Sequence, residues 1–482
     1  MTRLVVIGNG MVGSRFTADL LAADHAGRYT IDHFSAEAGH PYNRVLLSDV
    51  VSGTRDFSAI GMPQASDPRL TVHPGVAVTA IDREDRVVIT GDGRRTRYDQ
   101  LVLATGARAR VPALDGLRRS GDLPRGVRTL RTIDDARGLT AACVNARRAV
   151  VLGAGVLGLE VACGLARRGV RVTIVHPKAT MMERQLDATA GSALTATLRE
   201  LAIEVRPGIA ARGVLLDADD AISAVTLADG THVPCDVLVI AAGAMPDIAL
   251  AKRAGLATDR GVVVSEMLQS PSDGRVFAIG DCAQPREGGS GLVAQGWSQA
   301  RRLVARLTGS APAPDAPAAD DIVRLKAPGL DVVTMGVCGV ARPDLPGHRR
   351  LSVSDPGIGR HIELVLHDGA LVGATCVGAG RLASLLLTTY SLRTPLPSDP
   401  LALLLDRSAF AGGASATTTA GVVCKCNSVT HDHLEKAIDG GARDLDALAD
   451  RTRAGTGCGS CRDDLCALLA SRTQAVTPVK AI

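Results

Sequence analysis

The sequence contains the same pattern of strand, glycine turn and helix twice. The first copy is LVVIGNGMVGSRFTADLLA near the N-terminus, and the second is AVVLGAGVLGLEVACGLARRG from Ala149. Each copy has the spacing G-x-G-x-x-G and is followed by a further apolar strand, which predicts a nucleotide-binding βαβ unit. Because strands and helices alternate, we expect doubly wound parallel sheets and assign the chain to the α/β class.

Length, charge and hydrophobicity limit the number of domains, the partners and the location that we expect for the chain. Its 482 residues exceed one typical domain of roughly 100 to 200 residues. Lys and Arg total 54 against 50 for Asp and Glu, without a long basic run, so we expect no nucleic-acid partner. No apolar run approaches the roughly 18 residues of a membrane span, and the N-terminus lacks the layout of a signal peptide. We therefore expect a cytoplasmic protein that does not contact a membrane.

The first glycine motif consists of Gly8, Gly10 and Gly13. Its backbone amides and the following helix N-terminus are suited to a pyrophosphate. Glu37 comes at the end of the next strand, where a carboxylate would accept hydrogen bonds from a ribose. The alternative is a glycine turn that only packs on the sheet, with Glu37 a solvated loop residue.

Two distant segments indicate which nucleotide binds the first motif. VFAIGDC ends a strand at Asp281, whose carboxylate can bind the ribityl chain or pyrophosphate of a flavin nucleotide. LVLATGA contains a close backbone turn formed by Ala104, Thr105 and Gly106. This set resembles the two-dinucleotide-domain flavin reductases. The resemblance implies that Asp281 holds the FAD ribityl chain, and that a helix beginning near Val293 directs its positive end at the flavin.

The second glycine motif consists of Gly153, Gly155 and Gly158. Its position between the two halves of the flavin fold resembles the inserted nicotinamide domain of this family. Glu160 follows on the helix and is expected to face the nicotinamide. Gly243, after the strand that begins near Asp236, is expected to contact a cofactor as well.

The strand after the second motif ends in His176, Pro177 and Lys178, with no acidic residue where a ribose would bind. A carboxylate there would repel the 2'-phosphate of NADP, so its absence leaves NADPH and NADH open. His176 is either a cofactor contact or a neutral surface residue. We predict no catalytic side chain, because hydride transfer between cofactors needs alignment and electrostatics. No cysteine precedes Cys143, which argues against disulfide reduction, and Cys282 is expected to be structural.

The chain has eleven cysteines, and five of them crowd the C-terminal region. Cys424-x-Cys426 and Cys458-x-x-Cys461 can supply four thiolates to a [2Fe-2S] cluster or to structural zinc. The C-x-C half is unlike a zinc ribbon, and the tail resembles the [2Fe-2S] domain of bacterioferritin-associated ferredoxin. Cys466 is expected to be packed in a helix.

The polar residues near the first cysteine pair have a simpler interpretation than metal binding. Thr430 is predicted to cap a helix, and His431 and His433 in its first turn are expected to be solvated.

Three further segments extend the resemblance: PYNRVLLS from Pro41, TLRTIDDA from Thr129 and MMERQLD from Met181. Together they resemble the N-terminal part of the NAD(P)H nitrite reductase large subunit and the electron-transfer subunit of assimilatory nitrate reductase, over essentially the whole chain. The resemblance implies that Arg44 and Arg131 contact FAD and that Val78 lies by the adenine.

The predicted function is a reductase that passes electrons from NAD(P)H to FAD, to [2Fe-2S] and to a redox partner. The catalytic subunit of assimilatory nitrate or nitrite reductase is the leading partner. Nitrite reductase large subunits continue into a sirohaem and [4Fe-4S] domain, so we expect this chain not to reduce nitrite unaided. Three alternatives are an FAD/[2Fe-2S] subunit of an amino-acid or opine type dehydrogenase, a ferredoxin or rubredoxin reductase, and a zinc-binding interaction protein with a vestigial flavin site.

These motifs divide the chain into an FAD domain, an NAD(P) domain, a small α+β interface domain, a linker and a helical [2Fe-2S] domain. The predicted ranges are 1–110 with 241–308, 111–240, 309–410, 411–420 and 421–482.

Overall fold

The computed structural model describes residues 1–117, 122–310, 321–339, 346–404, 422–424, 427, 429–457, 459 and 461–474. The predicted linker and two predicted ligands, Cys426 and Cys458, lie outside the described residues. Within the described ranges, no helix combines the length and apolarity needed to cross a membrane.

Strands and helices alternate in the N-terminal part, as predicted. Residues 1–110 form β1 (Thr2–Ile7), α1 (Met11–Ala23), β2 (Tyr29–Phe34), α2 (Leu47–Ser52), β3 (Leu70–His73), β4 (Val78–Asp82), β5 (Val87–Thr90), β6 (Arg95–Arg97), β7 (Gln100–Leu103) and β8 (Ala107–Ala109). A 3-10 turn, Arg44–Leu46, precedes α2.

The middle of the chain repeats the alternation and then returns to the first sheet. Its elements are β9 (Val127–Thr129), α3 (Ile133–Cys143), β10 (Arg148–Leu152), α4 (Val156–Arg167), β11 (Arg171–His176), α5 (Ala188–Glu200), β12 (Glu204–Pro207), β13 (Ala211–Leu216), β14 (Ile222–Leu227), β15 (His232–Pro234), β16 (Val237–Ile240), β17 (Ala244–Pro246), α6 (Ala249–Arg253), β18 (Val262–Val263), β19 (Val276–Ala278), β20 (Ala283–Gln284) and α7 (Val293–Thr308).

The C-terminal part has a different texture. Its elements are β21 (Val323–Ala327), β22 (Leu330–Gly336), β23 (Arg349–Asp355), β24 (Arg360–His367), β25 (Ala370–Val377), α8 (Arg381–Leu392), β26 (Val422–Cys424), β27 (Val429–Thr430), α9 (His431–Asp439), α10 (Leu445–Thr452) and α11 (Arg462–Gln474).

The first sheet has the parallel order β19-β7-β1-β2-β3. Helices cover both faces of such a sheet, so its central strands are apolar throughout. Leu4, Val5 and Val6 of β1 and Leu101 and Val102 of β7 are fully buried. All five strands fall inside the predicted ranges 1–110 and 241–308.

The second sheet has the parallel order β12-β11-β10-β16-β9, and every strand falls within residues 111–240. The short ribbon β8–β17 joins the two nucleotide-binding parts, with Ala109 opposite Ala244. The carboxyl ends of β1 and β10 each lead into a glycine motif. This arrangement places both glycine motifs where nucleotides bind in open α/β sheets.

The third sheet is antiparallel, in the order β21-β22-β25-β24-β23, with α8 against it. A turn after His367 joins β24 to β25. Asp368 and Gly369 both have positive φ, +47° and +73°, as a tight hairpin turn requires. The small α+β character expected after the nucleotide-binding part is observed here.

The C-terminal module is built from α9, α10 and α11 beside the short β26–β27 pair. Cys424, Leu434, Ile438, Leu448 and Cys461 share one buried core. Thr430 caps α9 as predicted, because its side chain accepts a hydrogen bond from the His433 amide at 3.3 Å.

Candidate cofactor sites

The first glycine motif forms a loop that only glycine can build. Gly8 has φ +111°, and a Cβ atom there would lie 2.2 Å from the Ala104 oxygen. A Cβ on Gly13 would lie 1.9 Å from the Gly8 oxygen. Gly10 is the N-cap of α1, and no side chain among the described residues caps the helix. The first amides of α1 are therefore available to an anion.

Glu37 lies just beyond β2 and is held by two neighbours. Its Oε2 accepts a hydrogen bond from the Tyr42 hydroxyl at 2.7 Å, and its Oε1 pairs with Arg44 Nη2. The same hydroxyl accepts hydrogen bonds from Arg44 Nη1 at 2.8 Å and from the Ile133 amide at 2.9 Å. Burial and the Glu37 carboxylate raise the pKa of the Tyr42 hydroxyl, which keeps it protonated. Glu37 is thus a positioned carboxylate, contrary to the solvated alternative.

Arg131 and Asp281 continue this line of charges. Arg131 Nη2 lies 2.5 Å from Asp281 Oδ2, and Arg131 Nε donates to the Ala107 oxygen at 3.0 Å. Arg44 Nη1 also donates to the Arg131 oxygen at 3.1 Å. The fold therefore joins Glu37, Arg44, Arg131 and Asp281, four predicted site residues, into one network. Tyr42, which links Glu37 to Arg44 and Ile133, was not predicted.

Helix α7 begins at Val293, as predicted, and its first turns pack on the start of α1. The Trp297 indole donates to the Met11 oxygen at 3.1 Å. Gln299 accepts a hydrogen bond from the Gly280 amide at 2.7 Å, which fixes the turn that carries Asp281. A Cβ on Gly296 would lie only 2.5 Å from Val12. The two helices are thus held close together beside the first glycine motif.

The remaining predicted residues of the first site lie at its margins. The Thr105 hydroxyl donates to the Asp247 oxygen at 2.7 Å, and the Gly106 oxygen accepts from the Asp247 amide at 2.9 Å. Val78 begins β4, is half-buried and packs against the hydrophobic core around the first sheet. These contacts fix the turn after β7 against the chain that returns from the second sheet.

The second glycine motif repeats the first geometry. Gly153 has φ +110°, and a Cβ there would lie 2.4 Å from the Ala241 oxygen. A Cβ on Gly158 would lie 2.0 Å from the Gly153 oxygen. A Cβ on Gly155, the N-cap of α4, would meet no described atom within 4 Å. Gly243, with φ +101°, accepts a hydrogen bond from the Arg110 amide at 2.9 Å.

Glu160 and His176 are both buried. Glu160 is 5% exposed and accepts a hydrogen bond from the Ser48 hydroxyl of α2 at 2.6 Å, so it lies where the two nucleotide-binding parts meet. His176 is 6% exposed; its Nδ1 accepts from the Ala154 amide at 3.3 Å, and its Nε2 lies 3.3 Å from Glu183 Oε2. The surface alternative for His176 is wrong, because this strand end faces the glycine loop.

The C-terminal module of α9, α10, α11 and the β26–β27 pair, called the cysteine module below, places two predicted cluster ligands in one core. Cys424 is 0% and Cys461 is 3% exposed. Asn427 Nδ2 lies 3.6 Å from Cys424 Sγ, within hydrogen-bonding reach of sulfur. Cys282, by contrast, is buried in the first nucleotide-binding part, and burial raises the pKa of its thiol. It behaves as a structural residue.

The expectation that Cys466 is packed is wrong. Leu465 fills the core of the module at 1% exposure, whereas Cys466 is exposed. Successive helix positions are about 100° apart, so the residue after a core leucine turns toward solvent. His433 is exposed, as expected, and His431 is half-buried.

This arrangement is that of a flavin reductase with two dinucleotide-binding domains and a C-terminal module that contains buried cysteines. The sequence profile of the pyridine nucleotide-disulphide oxidoreductase family matches residues 2–301, and that of the BFD-like [2Fe-2S] binding domain matches residues 422–471. The chain therefore belongs to the pyridine nucleotide-disulphide oxidoreductases. It is an NAD(P)H-dependent flavoprotein reductase with a C-terminal [2Fe-2S] domain, and the preference for a cluster over zinc is confirmed.

Several curated relatives match nearly all of the chain. It is 29% identical to nitrite reductase [NAD(P)H] of Bacillus subtilis over 95% of this chain and 56% of that protein. It is 30% identical to the assimilatory nitrate reductase electron transfer subunit of the same species, over 95% of this chain and 58% of that protein. The chain thus spans about half the length of these relatives, and the predicted resemblance to both is confirmed.

Among solved structures, a covalent putidaredoxin reductase–putidaredoxin complex matches with a TM-score of 0.71. The identity is 24%, over 84% of this chain and 96% of that chain, and the match shows the shared fold.

The residues present fit the FAD and NAD(P)H that the first profile implies and the [2Fe-2S] cluster that the second implies. The tight glycine turns bring the backbone to the N-termini of α1 and α4, which no described side chain caps and whose first amides suit a pyrophosphate. Two buried thiols, one of them near an amide donor, suit a cluster ligated by thiolates.

Proposed function

We propose that this chain takes electrons from NAD(P)H and delivers them, through FAD and its own [2Fe-2S] cluster, to the catalytic subunit of an assimilatory nitrate or nitrite reductase. FAD supplies the conversion of a two-electron hydride into single electrons that a cluster accepts. One observation carries the proposal: the module that contains Cys424 packs on α1, the helix that begins at the first glycine motif.

The chain's own residues bind and orient the cofactors in this proposal. Residues 1–110 and 241–308 hold FAD, with Glu37 accepting from the ribose and Asp281 from the ribityl chain. Arg44 and Arg131 neutralise the carboxylates of this line and contact the FAD phosphates or flavin. Val78 lies by the adenine, and Ala104, Thr105, Gly106 and Val293 lie around the flavin. The N-terminus of α7 contributes a positive dipole end there.

Residues 111–240 hold the nicotinamide nucleotide in the same proposal. Gly153, Gly155 and Gly158 receive its pyrophosphate, and His176 lies toward its ribose. Gly243 approaches the nucleotide from the strand end after β16. Glu160, held by Ser48 of α2, faces the nicotinamide and couples the two nucleotide-binding parts. The four cysteines Cys424, Cys426, Cys458 and Cys461 ligate the cluster.

The assignment of the partner rests on the relatives. The similarity to the assimilatory nitrate reductase electron transfer subunit, over 95% of this chain, favours a nitrate reductase. We place this reaction in the cytoplasm, where free thiols such as those of Cys163 and Cys235 stay reduced.

The first test is an anaerobic titration of the purified protein with NADH and with NADPH, followed by visible absorption and by EPR. We expect bleaching of the flavin and a rhombic [2Fe-2S] signal. Cys424→Ser and Cys461→Ser should lose this signal, whereas the matched control Cys466→Ser should keep it, because Cys466 is exposed. Flavin bleaching with bound zinc and no EPR signal would contradict the proposed electron path.

The second test concerns the acceptor. The reduced protein is mixed separately with a nitrate reductase catalytic subunit and with a sirohaem nitrite reductase, and NAD(P)H oxidation is followed with each substrate. Oxidation that depends on nitrate and on the catalytic subunit supports the proposal. Equal rates with a ferredoxin alone would favour the ferredoxin reductase alternative.

A further inference from the structure

The cysteine module docks on α1 through a carboxylate shared by two guanidinium groups. Asp19 Oδ2 accepts from Arg15 Nε at 2.8 Å, one helical turn away, and Asp19 Oδ1 accepts from Arg453 Nη1 at 2.6 Å. The Arg15 and Asp19 side chains are 15% and 17% exposed, and the Arg453 side chain is 38% exposed. Partly buried pairs are screened by salt less than exposed pairs, so this contact is suited to holding two parts of a chain together.

Asn427 connects this ion pair to a cluster ligand. Its Oδ1 accepts from Arg15 Nη1 at 2.8 Å. Its Nδ2 donates to the Arg453 oxygen at 2.7 Å and lies 3.6 Å from Cys424 Sγ. The two ends of the amide are therefore distinguished by their partners. One side chain thus reaches from α1 of the flavin-binding part to a cysteine of the module.

The backbone at Arg453 supports a specific role for its side chain. Arg453 caps α10 with φ +62°, a left-handed conformation in which glycine or asparagine is usual. An arginine at this position is strained relative to glycine. Its bond to Asp19 gives a reason for the residue that is found there.

The loop after Arg453 makes further contacts with the flavin-binding part. Asn43 Nδ2 donates to the Thr456 oxygen at 2.8 Å and also to the Gly457 oxygen. A Cβ on Gly459 would lie 3.1 Å from Leu46. This loop leads directly to Cys461, so both described cysteine ligands adjoin segments that contact the flavin-binding part.

Arg15 also joins the two helices beside the first glycine motif. Its guanidinium carbon lies 5.3 Å from the ring centroid of Trp297 on α7, the single tryptophan of the chain. A cation over an indole face is attracted by the ring quadrupole. The docking site is therefore continuous with the helix pair that the proposed function assigns to the flavin.

We propose that Arg15, Asp19, Asn427 and Arg453, together called the α1 latch, are positioning residues that hold Cys424 against the flavin-binding part for electron transfer within one chain. This inference rests on the proposed function, because it concerns the step between flavin and cluster. The module stays covalently attached when the latch is broken, so the docked fraction decreases while local concentration remains high.

The test compares charge changes on the module in the full-length holoprotein. Arg453→Glu places a carboxylate against Asp19, and Arg453→Lys keeps the positive charge without the guanidinium fork. Lys436→Glu is the matched control, because Lys436 is exposed on α9 of the same module. Anaerobic stopped-flow mixing with NAD(P)H separates flavin reduction from cluster reduction.

We expect Arg453→Glu to slow cluster reduction by about tenfold, because the change replaces an attraction to Asp19 with a repulsion between like charges. Flavin reduction should stay within about twofold, because Arg453 contacts Asp19 of α1 in the first fold and the nicotinamide nucleotide is assigned to the second. Arg453→Lys should be intermediate, and Lys436→Glu should match the wild type. Hydrogen exchange of residues 453–457 should be faster in Arg453→Glu than in the control.

The outcomes separate the two proposals. If the wild-type flavin is reduced but the cluster is not, the proposed electron path fails. Hydrogen exchange then tests the α1 latch by itself. Unchanged protection of residues 453–457 in Arg453→Glu overturns the latch. If the wild-type cluster is reduced and Arg453→Glu reduces its cluster equally fast, the electron path stands and the latch is overturned.

Discussion

The first and second glycine motifs have the same backbone geometry, whereas the strands beside them carry different side chains. The disallowed Cβ contacts are 1.9 Å at Gly13 and 2.0 Å at Gly158. In the neighbouring strands, His33 pairs with Val6 in the first fold, and Ile174 pairs with Val151 in the second. The comparison teaches that the backbone of the loop is the same in both folds, as expected if each receives the proposed pyrophosphate, while the side chains around the loop differ.

The ends of these strands differ as well. By strand register, Lys178 corresponds to Glu37. Each lies three residues after a matched position, Phe34, which pairs with Ile7, or Val175, which pairs with Leu152. A carboxylate therefore stands at the proposed ribose end of the first fold, and an exposed ammonium group at the proposed ribose end of the second. The helices diverge too, because α1 carries Arg15 and Asp19 toward the cysteine module.

The largest effect is expected from alanine at the third glycine of each motif. Gly13→Ala should abolish flavin binding, and Gly158→Ala should keep the flavin but abolish its reduction by NAD(P)H, because each new Cβ would overlap a carbonyl oxygen. Gly155→Ala is the control: its Cβ meets no described atom, so only NAD(P)H affinity should decrease. Flavin absorbance, stopped-flow reduction and thermal unfolding measure the three effects. Flavin reduction by NAD(P)H at the wild-type rate in Gly158→Ala would contradict the equivalence of the two motifs.

A second effect distinguishes the folds by pH. His33 lies under the first motif, between the Gly8 oxygen and Thr17, with His73 nearby, and burial lowers its pKa from 6.5 to about 4. Protonation of His33 is thus easier in the unfolded chain than in the folded one. The contribution of neutral His33 to folding stability is therefore fully present above pH 6.5 and is lost as pH falls toward 4. The difference between the pKa of His33 in the unfolded and folded chain corresponds to about 3 kcal/mol of folding free energy.

Thermal unfolding at about pH 7 and about pH 4.5 measures this loss. The wild type should lose more stability between the two values than His33→Gln, which cannot titrate. Equal losses would show that His33 does not carry the pH dependence.

A smaller effect is expected from Tyr42→Phe. The change removes a hydroxyl that orients Glu37 and satisfies the Ile133 amide, and an unsatisfied buried donor costs about 1–3 kcal/mol. Flavin affinity and the unfolding temperature should both decrease, while NAD(P)H affinity in the second fold stays unchanged. Fluorescence titration of the flavin-free protein with FAD measures the first effect. Unaltered FAD affinity would remove Tyr42 from the site.

The smallest effect concerns nucleotide preference. Lys178→Glu would introduce at the second fold the charge that Glu37 supplies at the first, and a carboxylate there repels a 2'-phosphate. The ratio of kcat/KM for NADH to that for NADPH should rise about tenfold, a difference of about 1.4 kcal/mol. Lys178→Gln, which only removes the positive charge, should give a smaller rise. An unchanged ratio in both variants would place the ribose elsewhere.

Much of the site could be predicted because it is local in sequence. The glycine spacing, the start of α7 at Val293 and the cap at Thr430 each depend on neighbouring residues. The orientation of Cys466 was missed because a helix pattern in a short tail does not show which face meets the core. Tyr42 was missed because its partners include Ile133, which is distant in sequence.

The sequence by itself determined two dinucleotide folds and a thiolate cluster, since glycine spacing and clustered cysteines report directly on local backbone and ligand chemistry. Only the tertiary structure decided that Asn427 meets Arg15 and that Arg453 meets Asp19, across 412 and 434 positions. Such pairs depend on how separately formed parts pack, and polar residues at an interface look the same in sequence as polar residues in solvent.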